Sequence, residues 1–440
     1  MDKETLSKYG WVVIVIIVLV ILMSFAAPFG QYFYDSTMKM VETLKNSTNI
    51  EQLFTPNNNV QEVVTNYTSA QIEADEHLFA IGKTQPEYVV AEFNDDYTEV
   101  VITKNGDESD GLMMDWDLNT AEMPEISEMP LSVIHNSTLN SVIIEQGVVS
   151  IGNFAFTGLN METKETTSNI KSIRIPNSLA FIGDYAFLFA PCETFNTCLN
   201  LTKIGDCAFA GTALKEIRIN ANNLTISSNA FNGTNCLTNV YINGSVNIMN
   251  SAFSEHPSLT SVQIIGDTSV IESNAFQNCS LLENLNISGV TSIGNKAFYS
   301  CEKIANITFS ENLSEIGTSA FSYCDALVDL IIPGSVTEIG ENAFSYCDSL
   351  ENIIIKNGVT KISNYMFSRC YNVKSVLVPR SVIEIGENAF LLSIGTGDYS
   401  PDANIYCETQ AVADLFIDNV NYRSMDDAKI YVDATKFLIY

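Results

Sequence analysis

Basic residues are scarce in this chain. Twenty-two lysines and arginines face 52 aspartates and glutamates over 440 residues, a formal net charge of −30. A nucleic-acid partner needs a basic face to displace the counterions around phosphate, so this balance excludes that class. It equally excludes electrostatic attachment to an anionic membrane surface. The acidity instead keeps an extended protein soluble and self-repelling. Histidine is rarer still: His77, His135 and His256 are the three present. They lie far apart, and none sits at metal-ligand or triad-like spacing. A Gly-rich phosphate loop, a Gly-x-Ser-x-Gly elbow, His-Glu-x-x-His and a calcium loop of Asp, Asn and Gly are all missing. Carboxylate pairs abound in so acidic a chain, so no pair is informative. The sequence therefore offers no catalytic residue, no metal site and no cofactor, and reads as a non-enzyme.

What the chain has is a period. Phe156, Phe187, Phe209, Phe231, Phe253, Phe276, Phe298, Phe321, Phe344, Phe367 and Phe390 are each preceded by Ala, except Phe367, which follows Met366. The first interval is 31 residues and every later one is 22 or 23. A fixed period of this size marks a solenoid, in which each repeat cannot bury its apolar face alone and stacking makes a continuous core. Within one copy, Val336, Ile339, Ala343, Phe344, Cys347 and Leu350 are mostly three or four apart, whereas Ile353 and Ile355 are two apart. That pattern predicts a parallel β-sheet on one side and short helical or 3₁₀ turns on the other. Pairs such as Val142/Ile144, Ile217/Ile219, Leu330/Ile332 and Val376/Val378 point inward, with Phe195/Thr197 a degraded copy. The long first interval holds a polar loop around Thr157 to Asn169.

The flanks differ. Tyr9 to Tyr34 has no charged side chain, and Trp11 to Leu22 is unbroken apolar sequence. Residues 11–29 are read as a transmembrane anchor, long enough for the ~20 residues a bilayer needs. The rival reading is a signal peptide cleaved after Ser24-Phe25-Ala26. The anchor is preferred because the apolar run continues to Phe29 and because Tyr9 and Trp11 sit at its edge. The organisation that follows is a cytoplasmic segment 1–10, anchor 11–29, stalk 30–88, β-rich cap 89–140, solenoid 141–395 and C-terminal cap 396–440. This is a single-pass membrane protein with its repeats extracellular. Val89 to Phe93 and Glu99 to Thr103 look like strands joined before an Asn105-Gly106 turn. Residues 89–140 serve either to cover the first coil or as a separate ligand-binding module.

Gly334-Ser-Val-Thr-Glu-Ile-Gly-Glu-Asn-Ala-Phe-Ser-Tyr-Cys-Asp-Ser-Leu350 resembles the BspA-type (Treponema pallidum type) leucine-rich repeat, and the likeness covers about residues 141–390. The opening Leu6-Ser-Lys-Tyr-Gly-Trp11 is similar to that of anchored members from gut Firmicutes. The resemblance implies a leucine-rich-repeat solenoid in a surface or secreted protein that acts in adhesion, through a protein or glycan ligand on host or neighbouring cells, without catalysis. A structural or assembly scaffold of a cell-envelope or mobile-element complex is the alternative. Copies two to five depart from the motif, with Ala190, Thr212, Thr234 and His256 where later copies have Cys.

Cys279, Cys301, Cys324, Cys347 and Cys370 recur with the period and form a structural ladder. Parallel Cβ vectors at the ~4.8 Å strand spacing are too far apart for disulfides and too linear for tetrahedral zinc. They are read as buried, inert thiols. Cys192 and Cys198 flank the degraded coil and are the pair to test for a disulfide if the protein is extracellular. On the sheet's outward face, Arg174, Arg218 and Tyr241 bring interface-type side chains into an acidic protein. Ile331, Ile354 and Leu377 form an apolar stripe in three successive coils. The stripe is either a binding surface or β-favouring residues covered by the tail or stalk.

Overall fold

The computed structural model describes residues 64–65, 67–115, 138–158, 168–195, 200–220, 222–266, 268–391, 403–418 and 429–432, all within one compact unit, Glu62–Tyr440. The anchor expected at 11–29 lies outside the described residues. Among the described residues no helix is long and apolar enough to cross a membrane.

Each coil begins with a front strand whose alternate residues face inward. Asp329–Ile332 is representative: Leu330 and Ile332 are buried, and Asp329 and Ile331 are exposed. The period-two pattern dictates this, because successive Cβ atoms leave a strand on opposite sides. The chain then turns into a second, shorter strand such as Glu338–Ile339, which pairs in parallel with Glu315–Ile316 of the coil before. These back strands make a nine-stranded parallel sheet from Ser150–Ile151 to Glu338–Ile339, followed by a separate pair, Lys361–Ile362 and Glu384–Ile385. The solenoid fold is as the period demands, but among the described residues no helical or 3₁₀ segment stands opposite the front sheet in the repeats. Among the described residues the 3₁₀ segment is Pro86–Tyr88, in the N-terminal cap.

The reason lies in the backbone around each Phe. The residue before the Ala and the second residue after the Phe are left-handed: Asn342 has φ 57° and Tyr346 φ 59°, and Ser319 and Tyr323 repeat this at 54° and 63°. Left-handed residues interrupt the run of right-handed ones that a helix needs. Their effect is to aim alternate N–H groups at the next coil. Asn342, Phe344 and Tyr346 donate to the carbonyls of Asn364, Met366 and Ser368 at 3.1, 3.0 and 2.9 Å, while Ser345 N–H turns back to Asn342 O at 3.1 Å. A helix would satisfy these donors along its own axis; here a third inter-coil ladder satisfies them crosswise. Coils also approach closely at the Ile-Gly step, where a Cβ on Gly340 would collide with the backbone nitrogen of Thr318.

The phenylalanines form one column through the core. All eleven, from Phe156 to Phe390, are fully buried, with neighbouring centroids 4.9–5.9 Å apart and ring planes within 25°. Helix Gln410–Asp418 ends the column by setting Phe416 at 5.6 Å from Phe390.

The front sheet is not continuous. It runs in three sections: Leu78–Ala80 to Thr194–Phe195, Glu216–Asn220 to Asn306–Phe309, and Asp329–Ile332 to Lys429–Tyr431. Both interruptions follow a strand with Phe at an inward position that most other coils fill with Ile, Val or Leu. Phe195 tilts against Phe209 at 4.7 Å, and Phe309 meets Phe321 edge-on at 5.6 Å. The Phe column and the back sheet continue across both interruptions, so the change is confined to the front strands.

At the N-terminal end, Glu99–Asn105 pairs in parallel with Ser141–Ile144, covering the first coil, and pairs antiparallel with Val89–Phe93. The folded region starts before residue 89. Helix Ser69–Ala74, capped by Thr68 and Gln71, and strand Leu78–Ala80 belong to it, and Ile72 packs with Leu78 and Val90. Strand Leu78–Ala80, within the segment expected as stalk, pairs antiparallel with Val89–Phe93.

Candidate binding face

The outward side of the front sheet carries the side chains that folding leaves unused. In its middle section, register places Arg218, Tyr241, Gln263, Asn286 and Thr308 in one column along the solenoid. The Arg218 guanidinium lies 4.5 Å from the centre of the Tyr241 ring and pairs with Glu216 on its own strand. That carboxylate holds the Arg218 pKa above its ordinary value. Arg174 does not join them. It is exposed on the first section, in register with Ile143, and the interruption after Phe195 separates it from Arg218.

In the last section, Ile331, Ile354 and Leu377 are in register, as their spacing predicts. Ile331 is 49% exposed and the other two are half-buried. The column continues beyond the regular repeats into Tyr406 and Tyr431, whose rings stack at 5.2 Å. The sequence marks Ala403–Cys407 as a last strand, but the outward column is not carried into it because the Phe period ends at Phe390. The alternation in Asn-Ile-Tyr-Cys was the available signal.

The five ladder cysteines are fully buried, but they do more than fill space. Each thiol donates to the carbonyl of the Phe in the preceding coil: Cys279 to Phe253, Cys301 to Phe276, Cys324 to Phe298, Cys347 to Phe321 and Cys370 to Phe344, at 3.2–3.6 Å. Two of the earlier copies fill the same slot with other donors, whereas Ala190 offers none and Thr212 Oγ1 donates to Phe209 O of its own coil at 2.8 Å. Thr234 Oγ1 reaches Phe209 O at 3.1 Å and His256 Nε2 lies 2.9 Å from Phe231 O. The role was readable in retrospect from Thr and His replacing Cys, since the three share a donor rather than size or polarity. Burial pushes the Cys301, Cys324 and Cys347 thiols well above their ordinary value, which makes them poor nucleophiles and poor metal ligands at neutral pH. Burial likewise pushes Cys192 up to about 12. Its suggested partner, Cys198, lies outside the described residues.

Among the described residues no three His, Cys, Asp or Glu converge on a point that would hold a metal ion. His77 stacks on Tyr97 at 5.0 Å in the cap, and His256 is enclosed in the core.

A family model described as the BspA type leucine rich repeat region matches in six copies over residues 127–173, 164–283 and 269–394. A search of curated proteins finds no match. Among solved structures, a leucine-rich repeat protein from Bacteroides ovatus is similar at 21% identity and TM-score 0.38, covering 78% of this chain and 98% of its own. The T. pallidum leucine rich repeat protein is similar at 25% identity and TM-score 0.28, over 39% of this chain and 72% of its own. A leucine rich cell surface protein from Faecalibacterium prausnitzii is similar at 23% identity and TM-score 0.29, over 70% and 97%. With more than half of its length matched by the repeat model and a stacked coil for each matched copy, the chain belongs to the BspA-type leucine-rich repeat family.

Proposed function

We propose that this chain is a non-catalytic binding scaffold displayed on the cell surface, held to the membrane by residues 11–29, whose front sheet engages protein or glycan partners and so mediates adhesion. The observation that carries this reading is the outward column Ile331, Ile354, Leu377. The fold needs the inward residues of those strands, not the outward ones, yet three successive coils present aliphatic side chains there and Ile331 remains 49% exposed. Solvent-facing apolar stripes in register mark interaction surfaces. Arg218 and Tyr241, on the preceding section of the same face, are side-chain types that anchor interfaces.

Protease shaving of intact cells, followed by blotting for the repeats, tests the placement. Loss of the repeat signal is expected; full protection until lysis would refute surface display. Ile354→Lys tests the face. It leaves the inward core untouched and is expected to weaken partner capture at least tenfold. Unchanged capture and unchanged oligomeric state would remove the stripe from the binding surface. Stoichiometric copurification with an envelope subunit, without cell adhesion, would move the chain to the assembly class.

A further inference from the structure

The middle section of the front face has a chemistry of its own. Its strands Glu216–Asn220, Asn239–Asn243, Ser261–Ile264, Asn284–Ile287 and Asn306–Phe309 present amides outward, and Asn is a residue that strands disfavour. Some asparagines elsewhere in the solenoid have structural work. Asn153, Asn295 and Asn364 accept the backbone N–H of the following coil at 2.6–2.8 Å. On the front face five amides, those of Asn220, Asn243, Gln263, Asn284 and Asn306, take no hydrogen-bond partner among the described residues. They therefore weaken strand propensity without an internal bond in return.

We infer that this section is a docking platform for an extended, neutral glycan, an inference that rests on the adhesion reading above. Four observations favour that occupant. An amide side chain offers donors and an acceptor together, which matches a sugar hydroxyl that both donates and accepts. Register stacks the amides in columns, Asn239 with Ser261, Asn284 and Asn306, and Tyr241 with Gln263 and Asn286. The column repeat is the strand spacing of ~4.8 Å, a scale suited to successive rings of an extended sugar chain. Tyr241 supplies an aromatic surface within the array, braced by Arg218. Finally, Glu216 neutralises Arg218, and the whole chain carries −30, so a polyanionic glycan is repelled and a neutral one is not. A protein partner would instead seek an apolar centre; this section exposes Ile265 singly, just past strand Ser261–Ile264, whereas the last section aligns three aliphatic side chains.

The test is a glycan array of neutral and anionic oligosaccharides probed with the detergent-solubilised full chain, beside the triple variant Gln263→Ala, Asn284→Ala, Asn306→Ala. All three substituted amides are outward, so the triple variant is expected to keep its circular dichroism and melting temperature. The expected result is signal on neutral glycans, none on uronic or sialylated ones, and loss of tenfold or more in the triple variant. Signal confined to anionic glycans, a blank array, or neutral binding that the triple variant preserves would each overturn the inference. Capture of whole cells by the full chain is scored in parallel. A blank array with intact cell capture refutes the glycan platform alone, whereas loss of both refutes the adhesion reading with it.

Discussion

Replacing Phe298 should do more than make a hole; it should divide the solenoid. The ring is fully buried and stacks at 5.3 Å on Phe276 and 5.1 Å on Phe321, with interplanar angles of 1° and 9°. Truncating a core Phe to Ala costs about 3–5 kcal/mol. Two stacked contacts at about 0.5–1.5 kcal/mol each set the share due to ring geometry, so Phe298→Leu, which keeps most of the volume, should cost about 1–3 kcal/mol. In a quasi-linear array, each coil is coupled only to its neighbours. A loss of this size in the middle should uncouple the coils ending at Phe276 from those beginning at Phe321. Urea unfolding followed by circular dichroism, with hydrogen exchange mass spectrometry to locate the opening, is the assay. Phe298→Ala is expected to give two transitions, with faster exchange centred on residues 290–309 and protection largely kept near Phe187 and Phe367. A single transition with uniform loss of protection would refute nearest-neighbour coupling. A cost below about 0.5 kcal/mol for Phe298→Leu would refute a stabilising role for ring stacking.

Two further predictions concern the donor slot. Cys347→Ser keeps a donor for Phe321 O, whereas Cys347→Ala leaves that carbonyl unpaired, so Ala should cost about 1–3 kcal/mol more than Ser in chemical denaturation; equal costs would reduce the ladder cysteines to packing. His256 is enclosed between Ser254 O at 3.0 Å from Nδ1 and Phe231 O at 2.9 Å from Nε2, and burial holds its pKa below the ordinary value. The folded state thus prefers the neutral ring. The stability this contributes is complete above the unfolded value of about 6.5 and is lost as pH falls through that value towards the folded one. Melting temperature should therefore fall with acidification below about pH 6.5, and His256→Thr, the slot's occupant two coils earlier in Thr212 and one earlier in Thr234, should flatten that part of the profile. An unchanged slope in the variant would assign the acid sensitivity to carboxylates.

Much of this architecture was legible because it is periodic. The Phe interval alone implies stacked coils, and the two-residue spacing of Leu330/Ile332 and its counterparts identifies the inward face of each front strand. The column Ile331, Ile354, Leu377 follows from the same count, since neighbouring coils of equal length must align. The Cys slot was half legible: the interval showed a ladder, but the hydrogen bond to the preceding Phe carbonyl depends on where the turn places that carbonyl.

What the order of residues determined by itself is the repeat, its inward and outward positions, and the family, because burial in a stacked array depends on period and polarity, and both are written along the chain. What only the tertiary structure decided is how the coil closes and where its outer face changes. Left-handed residues as different as Asn342, Tyr346 and Lys296 adopt one backbone state because inter-coil hydrogen bonds outweigh their local preference. The front sheet breaks after Phe195 and after Phe309, whose rings turn against Phe209 and Phe321, a contact that exists only once the coils are stacked. The sectioned face, amides in the middle and an apolar column toward the end, is a consequence of that packing, since side chains 22 or 23 residues apart become neighbours only when the coils stack.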